Sequence, residues 1–381
     1  MTSISPFRVD IPEEQLADLR RRLAGTRWPD AETAPGWTQG TPLAFMREVC
    51  DRWRDGYDWR RCEARLNAFP QFITKIDGLD VHFIHVRSRH PGALPMLMTH
   101  GWPGSVLEFL DVIEPLADPE AHGGSASDAF DLVIPSLPGV GFSGHPSPGE
   151  VWGPERVARA WIELMRRLGY DRWITQGGDW GAMVSDTLGA MAPSGCIGMH
   201  LNMPIIFPTP EDAANATPAE AAAIATWTDY LSSGSGYQQQ QSTRPQTLAY
   251  ALTDSPVGQA AWILEKFGAW SDNDGDPRSA IALDAMLDNV TLYWLQGSAG
   301  SSARLYWDTA QSNGLPIAPV AIPTGISIFP KELFRPSRRW AERRFTNIVY
   351  WHELDRGGHF AAFEQPELFV GELRAFARTL R

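Results

Sequence analysis

A chain of 381 residues, 43% of them hydrophobic, is long enough for one large core and too apolar to stay disordered. Its net charge of −12 excludes general nucleic-acid binding, which needs a basic surface to displace counterions. Cys50, Cys62 and Cys196 are scattered, with neither C-x-x-C metal spacing nor the even count of a disulfide framework. The opening MTSISPFRVDIPEE lacks the basic and apolar regions of a signal peptide, and no run of about 18 apolar residues could span a bilayer. A cytoplasmic protein with no metal and no membrane contact is the expectation.

In chain order, Leu16, Leu19 and Leu23 fall on one helical face of IPEEQLADLRRRLAG, and Pro12 suits the helix start. FITKIDGLDVHFIHV alternates around Asp77-Gly78, a hairpin signal. LPMLMTH (94–100) and FDLVIPS (130–136) read as buried strands. A helix follows over 155–170, then the strand RWITQ, the cluster QGGDWG (176–181), the helix GAMVSDTLGAMAP and the strand IGMHLNM. Residues 206–315 break this rhythm with helical stretches such as SPVGQAAWILEKFGAW. Strands resume at VAIPTGISIF (320–329) and NIVYWHEL (347–354), and PELFVGELRAFARTL closes the chain as a helix. Strands alternating with helices predict an α/β fold, a mostly parallel sheet with helices on both faces. The expected divisions are an arm with the first hairpin (1–93), a first core segment (94–205), a helical lid (206–315) and a second core segment (316–381). SDNDGDP (271–277) has the acidity of a calcium loop but not its glycine position or closing glutamate, so it reads as a solvated turn.

Three places carry chemistry. Asp179 lies in G-G-D-W-G between a strand and a helix, the context of the nucleophile elbow, usually G-x-S-x-G. A carboxylate there can attack carbon and form an ester. The plain alternative is an aspartate capping the next helix. HGWPGS (100–105) follows a strand as an oxyanion-hole loop does, and would offer the backbone N–H of Trp102 beside that of Trp180. His359, in RGGHFAAFEQPE, occupies a strand–helix loop suited to a general base that activates water. Glu332 follows the strand ISIF and gives the order Asp179…Glu332…His359 (nucleophile, acid, base). Asp355 competes with it for the acid's place, though its nearness to His359 in the chain fits a loop cap better.

HGWPGS, QGGDWG and RGGHFAAFEQPE together resemble an α/β-hydrolase-fold epoxide hydrolase of the microsomal type, a group that includes juvenile-hormone epoxide hydrolases. The resemblance covers nearly the whole chain. PFRVDIPEEQLADLRRRLAGTRWPD looks like the family's N-terminal arm, and DSPVGQAAWILEKF like its lid. It implies that Tyr237, in SGYQQQQ, and Tyr306, in SSARLYWD, are acid-donating tyrosines. Membrane-bound members carry an N-terminal transmembrane helix that is not found here, which points to a soluble, bacterial-type homologue.

The implied activity is hydrolysis of an epoxide by water to a vicinal diol without a cofactor. Asp179 forms an ester, and His359, oriented by Glu332, activates the water. Sixteen tryptophans, 17 phenylalanines and 8 tyrosines permit an aromatic-lined pocket, hence an apolar, aryl or bulky epoxide. Detoxification and antibiotic biosynthesis are the roles such homologues suggest, and a homo-oligomer is compatible with the arm. Two rivals remain. A haloalkane dehalogenase also uses an Asp and a His but needs no lid tyrosines, and a catalytically silent binding protein would keep the fold without turnover.

Overall fold

The computed structural model describes residues 3–312 and 318–381. The strands of its sheet are β1 (Ser5–Phe7), β2 (Gln71–Ile76), β3 (Leu79–Val86), β4 (Leu94–Thr99), β5 (Phe130–Pro135), β6 (Trp173–Gly177), β7 (Cys196–Leu201), β8 (Thr324–Ile328) and β9 (Ile348–Glu353). They lie in the order β1-β2-β3-β5-β4-β6-β7-β8-β9. The first three strands and β5 pair antiparallel, and from β5 to β9 every pairing is parallel. The hairpin turns at Asp77 (φ 48°) and Gly78 (φ 84°), the left-handed pair that a two-residue loop needs to match strand twist.

The central strands are largely buried because helices cover both faces. Met96, Leu97 and Met98 of β4 are all fully buried, as are all five residues of β6. Helix α1 (Glu13–Ala24) buries Leu16, Leu19 and Leu23 as the spacing predicts, and α2 (Leu43–Asp55) and α3 (Trp59–Asn67) complete the arm. On the core, α4 (Leu110–Ala117) follows β4, α5 (Pro154–Arg167) precedes β6 and α6 (Trp180–Met191) follows it. α5 packs on α6.

The lid runs through α7 (Pro210–Ala214), α8 (Pro218–Asp229), α9 (Gly236–Thr243), α10 (Pro245–Asp254), α11 (Pro256–Trp270), α12 (Leu283–Leu295) and α13 (Ser298–Gln311). The expected division between lid and second core segment, at 315/316, falls outside the described residues. After β8 come α14 (Arg338–Ala341), β9, α15 (Ala361–Glu364) and α16 (Pro366–Arg378), which packs on α4.

Two details depart from the sequence pattern. β1 was not foreseen: three residues containing Pro6 carry no periodicity, and the strand exists through its pairing with β2. The strand expected over 320–329 is ordered as a strand only from Thr324, because Pro323 has no N–H to donate. Val320 instead makes an isolated bridge to Phe345.

The helices of the arm hold the lid. α1 and α2 pack on α11, and α3 on α12. Trp53 Nε1 donates to Thr291 Oγ1 (2.9 Å), Tyr57 Oη to Asp288 Oδ1 (2.8 Å), and the Arg61 guanidinium to both Asp288 oxygens (2.9 and 3.0 Å). Burial raises the Asp288 carboxyl to about 6, and its arm partners oppose that shift. Asp288→Ala strands the buried Tyr57 hydroxyl. It is expected to lower unfolding free energy by about 2 kcal/mol, read from chemical denaturation.

Candidate active site

The site is assembled at the C-terminal ends of four parallel strands, where open α/β sheets place their ligands. β4 leads into His100–Trp102, β6 into Asp179, β8 into Glu332 and β9 into His359. β4 and β6 are neighbours from which the chain departs in opposite directions, so a crevice opens between the loops that follow them.

Asp179 is one of three non-glycine residues with positive φ among the described residues (φ 50°, ψ −124°). Such a backbone is costly and persists only where its surroundings over-determine it. The glycines do that. A Cβ on Gly177 would overlap the Gly181 carbonyl, and one on Gly181 would overlap the Thr99 carbonyl, so strand, turn and helix could not close up. The Asp179 carboxylate does not cap α6. Its Oδ1 accepts the Trp102 backbone N–H at 2.7 Å, and its Oδ2 lies 3.5 Å from His359 Nε2.

His359 Nδ1 bonds Glu332 Oε1 at 2.8 Å, so it is Glu332 rather than Asp355 that faces this nitrogen. Burial alone would push this imidazole down, but the carboxylates of Glu332 and Asp179 outweigh it and raise it well above the ordinary histidine value. The loop carrying His359 is clasped by the segment that read as a solvated turn. His359 N donates to Trp270 O (2.9 Å), Gly357 N to Asp272 Oδ2 (2.8 Å), and Asp272 N to Glu364 Oε2 (2.7 Å). The solvated-turn expectation therefore fails for Asp272. An acidic loop looks the same in sequence whether water or a distant backbone takes its bonds.

His100 is structural. Its Nε2 accepts Leu137 N–H (3.1 Å) and its Nδ1 faces Gly101 O (2.8 Å), while burial lowers it to about 4.

From the lid, Tyr237 on α9 and Tyr306 on α13 reach the same place, their ring centroids 5.8 Å apart. Trp102 stacks on Tyr237 (5.1 Å, 5° between planes), and Trp180 meets Tyr306 edge-on (4.8 Å). Burial, then neighbouring phenols and Asp179, pushes both phenols well above their ordinary value, so both stay protonated donors. The sequence reading missed a third phenol, Tyr230, whose hydroxyl is 3.1 Å from that of Tyr237 and donates to Gln238 Oε1 (2.7 Å). It opens a π-helical turn, Tyr230–Gly234, an irregularity that the regular spacing of side chains does not announce. Asp179, Trp180, Met183, Met203, Tyr237 and Tyr306 are among the residues lining a cavity of about 210 Å³ under the lid.

Fold and site together define an α/β-hydrolase enzyme with a carboxylate at its elbow. Comparison with known proteins agrees: residues 4–109 match the family model "Epoxide hydrolase N terminus", and residues 95–255 match "alpha/beta hydrolase fold". A Stigmatella aurantiaca protein provisionally named an epoxide hydrolase is 54% identical over 378 residues, 99% of this chain and 86% of that protein. The Aspergillus niger epoxide hydrolase structure aligns over 100% of this chain and 97% of its own at 32% identity, TM-score 0.89. The juvenile hormone epoxide hydrolase of Bombyx mori does so over 100% and 95% at 30% identity, TM-score 0.93. The chain belongs to the epoxide hydrolase family. Among the described residues no helix is long and apolar enough to cross a membrane.

Gly181→Ala is expected to cost more than about 2 kcal/mol of stability, because its methyl meets backbone rather than a movable side chain. Denaturation midpoints of this variant and of Gly371→Ala, where nothing lies within 4 Å, make the comparison.

Proposed function

We propose that the chain converts an apolar, aryl-type epoxide and water to a vicinal diol through an ester on Asp179. One observation carries this. The Asp179 carboxylate faces two protonated phenols across a cavity walled in part by Met183, Met203, Ile205 and Phe334, with a carboxylate-paired histidine behind it. An epoxide oxygen leaves poorly unless it is protonated, and Tyr237 and Tyr306 supply hydrogen bonds to it. Asp179 attacks a ring carbon from the opposite side. One carbon–oxygen bond forms, one breaks, and the alkoxide takes a phenol proton.

Hydrolysis follows. His359 Nε2 removes a proton from water, whose oxygen bonds to Asp179 Cγ, and the N–H groups of Trp102 and Trp180 stabilise the oxyanion. Collapse expels the diol oxygen, which takes the proton from His359. The acid proton left on Asp179 makes good the one the phenol lost.

The change of charge explains how a histidine raised by two carboxylates still serves as a base. Ester formation removes the negative charge of Asp179, one cause of that raised value. The His359 pKa therefore falls in the ester, when a neutral imidazole is needed. Ester hydrolysis should accelerate with rising pH through a pKa below the one that NMR titration of His359 gives in the free protein. A single-turnover rate profile across pH checks this.

The apolar part of the wall suits a xenobiotic or a secondary-metabolite epoxide, and the reaction is the same in detoxification and in biosynthesis. Tyr237→Phe and Tyr306→Phe should each slow ester formation by about 10- to 100-fold. A dehalogenase would keep its activity in both. Asp179→Asn should lose more than about 10³-fold in turnover, and His359→Gln should accumulate ester.

The decisive test is one turnover of styrene oxide in oxygen-18 water with excess protein. Unlabelled diol, with label in the Asp179 peptide after that one turnover and in diol only on later turnovers, is the expected result. Labelled first-turnover diol would refute the ester, and tight binding without turnover would favour a silent binding protein.

A further inference from the structure

Asp179 separates two spaces. Toward the lid is the 210 Å³ cavity that holds the tyrosines. Toward the core is a second cavity of about 20 Å³, whose lining includes Asp179, His359, Glu108, Gln176 and Asn202. A water molecule needs about 10–15 Å³ of such space and two to four polar partners, so the second cavity suits one water and no organic substrate. We propose that this cavity is the seat of the hydrolytic water, and that Glu108 orients that water between His359 Nε2 and Asp179 Cγ. The proposal rests on the ester reading above and adds to it a water site and a residue that the mechanism so far leaves unused.

Glu108 is built into place. It lies in the turn Val106–Phe109, directly after HGWPGS. A Cβ on Gly104 would overlap Glu108 Oε1, so the glycine leaves open the slot that the carboxyl fills. Glu108 is surrounded by protein yet keeps some accessible surface, because it lines the cavity. It forms no ion pair with a lysine or arginine among the described residues. Its carboxyl responds instead to burial, to His359 and to Asp179, and lies at about 8, burial being the largest cause.

At neutral pH it is therefore mostly the uncharged acid. That form has a carbonyl oxygen to accept one water proton while His359 Nε2 takes the other. It also adds no second negative charge beside His359, which would hold the imidazole protonated and deny it the role of base. One water O–H breaks and its proton goes to His359. The water oxygen bonds to Asp179 Cγ. The remaining O–H stays on that oxygen, which becomes part of the Asp179 carboxyl when the diol oxygen leaves.

The test uses stopped-flow tryptophan fluorescence with styrene oxide, which separates ester formation from ester hydrolysis, together with intact-protein mass spectrometry of the ester. Glu108→Leu removes the acceptor, and Gly104→Ala displaces the carboxyl without removing it. In both, ester hydrolysis should fall by about 100-fold, the scale on which misplacing a reactant acts, with ester formation changed far less. Glu108→Gln keeps a neutral acceptor and should stay within about fivefold of the unmodified protein, the worth of one altered hydrogen bond.

Hydrolysis at the normal rate in Glu108→Leu, or equal slowing of both phases in every variant that folds, would overturn the proposal. So would a Glu108→Gln variant as slow as Glu108→Leu. If the unmodified protein and His359→Gln both turn over without an ester, the covalent mechanism itself fails and the water site falls with it. Should Glu108→Leu not fold, Gly104→Ala and Glu108→Gln still decide between these outcomes.

Discussion

A carboxylate held on a strained backbone, between an N–H donor and an imidazole, is the constraint around which this molecule is arranged. Asp179 adopts φ 50° because the end of β6, the start of α6 and the end of β4 meet with no room for a side chain at Gly177 or Gly181. That crowding turns the carboxyl away from the helix it would otherwise cap and toward Trp102 N–H and His359. The cost of the conformation is met by the parallel strands β4 and β6, which are buried at every residue but Pro95.

Charge organises the next layer. Two acids face one imidazole, and burial makes each interaction stronger than it would be in water. Glu332 is almost fully buried and bonded to Nδ1, so it fixes the ring. Asp179 is partly exposed to the cavities on either side of it. In the proposed ester its charge is lost, so a permanent partner and a transient one would give the same histidine two basicities.

The lid supplies the opposite face, and its position is not its own doing. Tyr237 and Tyr306 sit on helices that contact each other, but of the helices between them in the chain α12 is gripped by the arm through Trp53, Tyr57 and Arg61, and α11 is packed on by α1 and α2. The first residues of the chain thus help set where groups from its middle meet the sheet. β1 ties the same arm to the sheet edge beside β2. Arm, lid and sheet form a closed circuit of contacts.

By itself the sequence determined what is local. Glycines around Asp179, the histidine and glutamate after successive strands, the Asp77-Gly78 hairpin and the apolar run of β4 each declare themselves within about ten residues. The lid tyrosines needed more, because Tyr237 and Tyr306 look like any helix packing residue until a family pattern singles them out. Only the tertiary structure decided which acid bonds His359, that Asp272 clasps the histidine loop, that Tyr230 joins the phenols, and that Glu108 faces a small cavity apart from the one under the lid. Each of these is a contact between segments far apart in the chain. Such a contact leaves no periodicity behind, and whether a buried carboxyl bonds to water, backbone or another side chain is set by the space around it rather than by its neighbours in sequence.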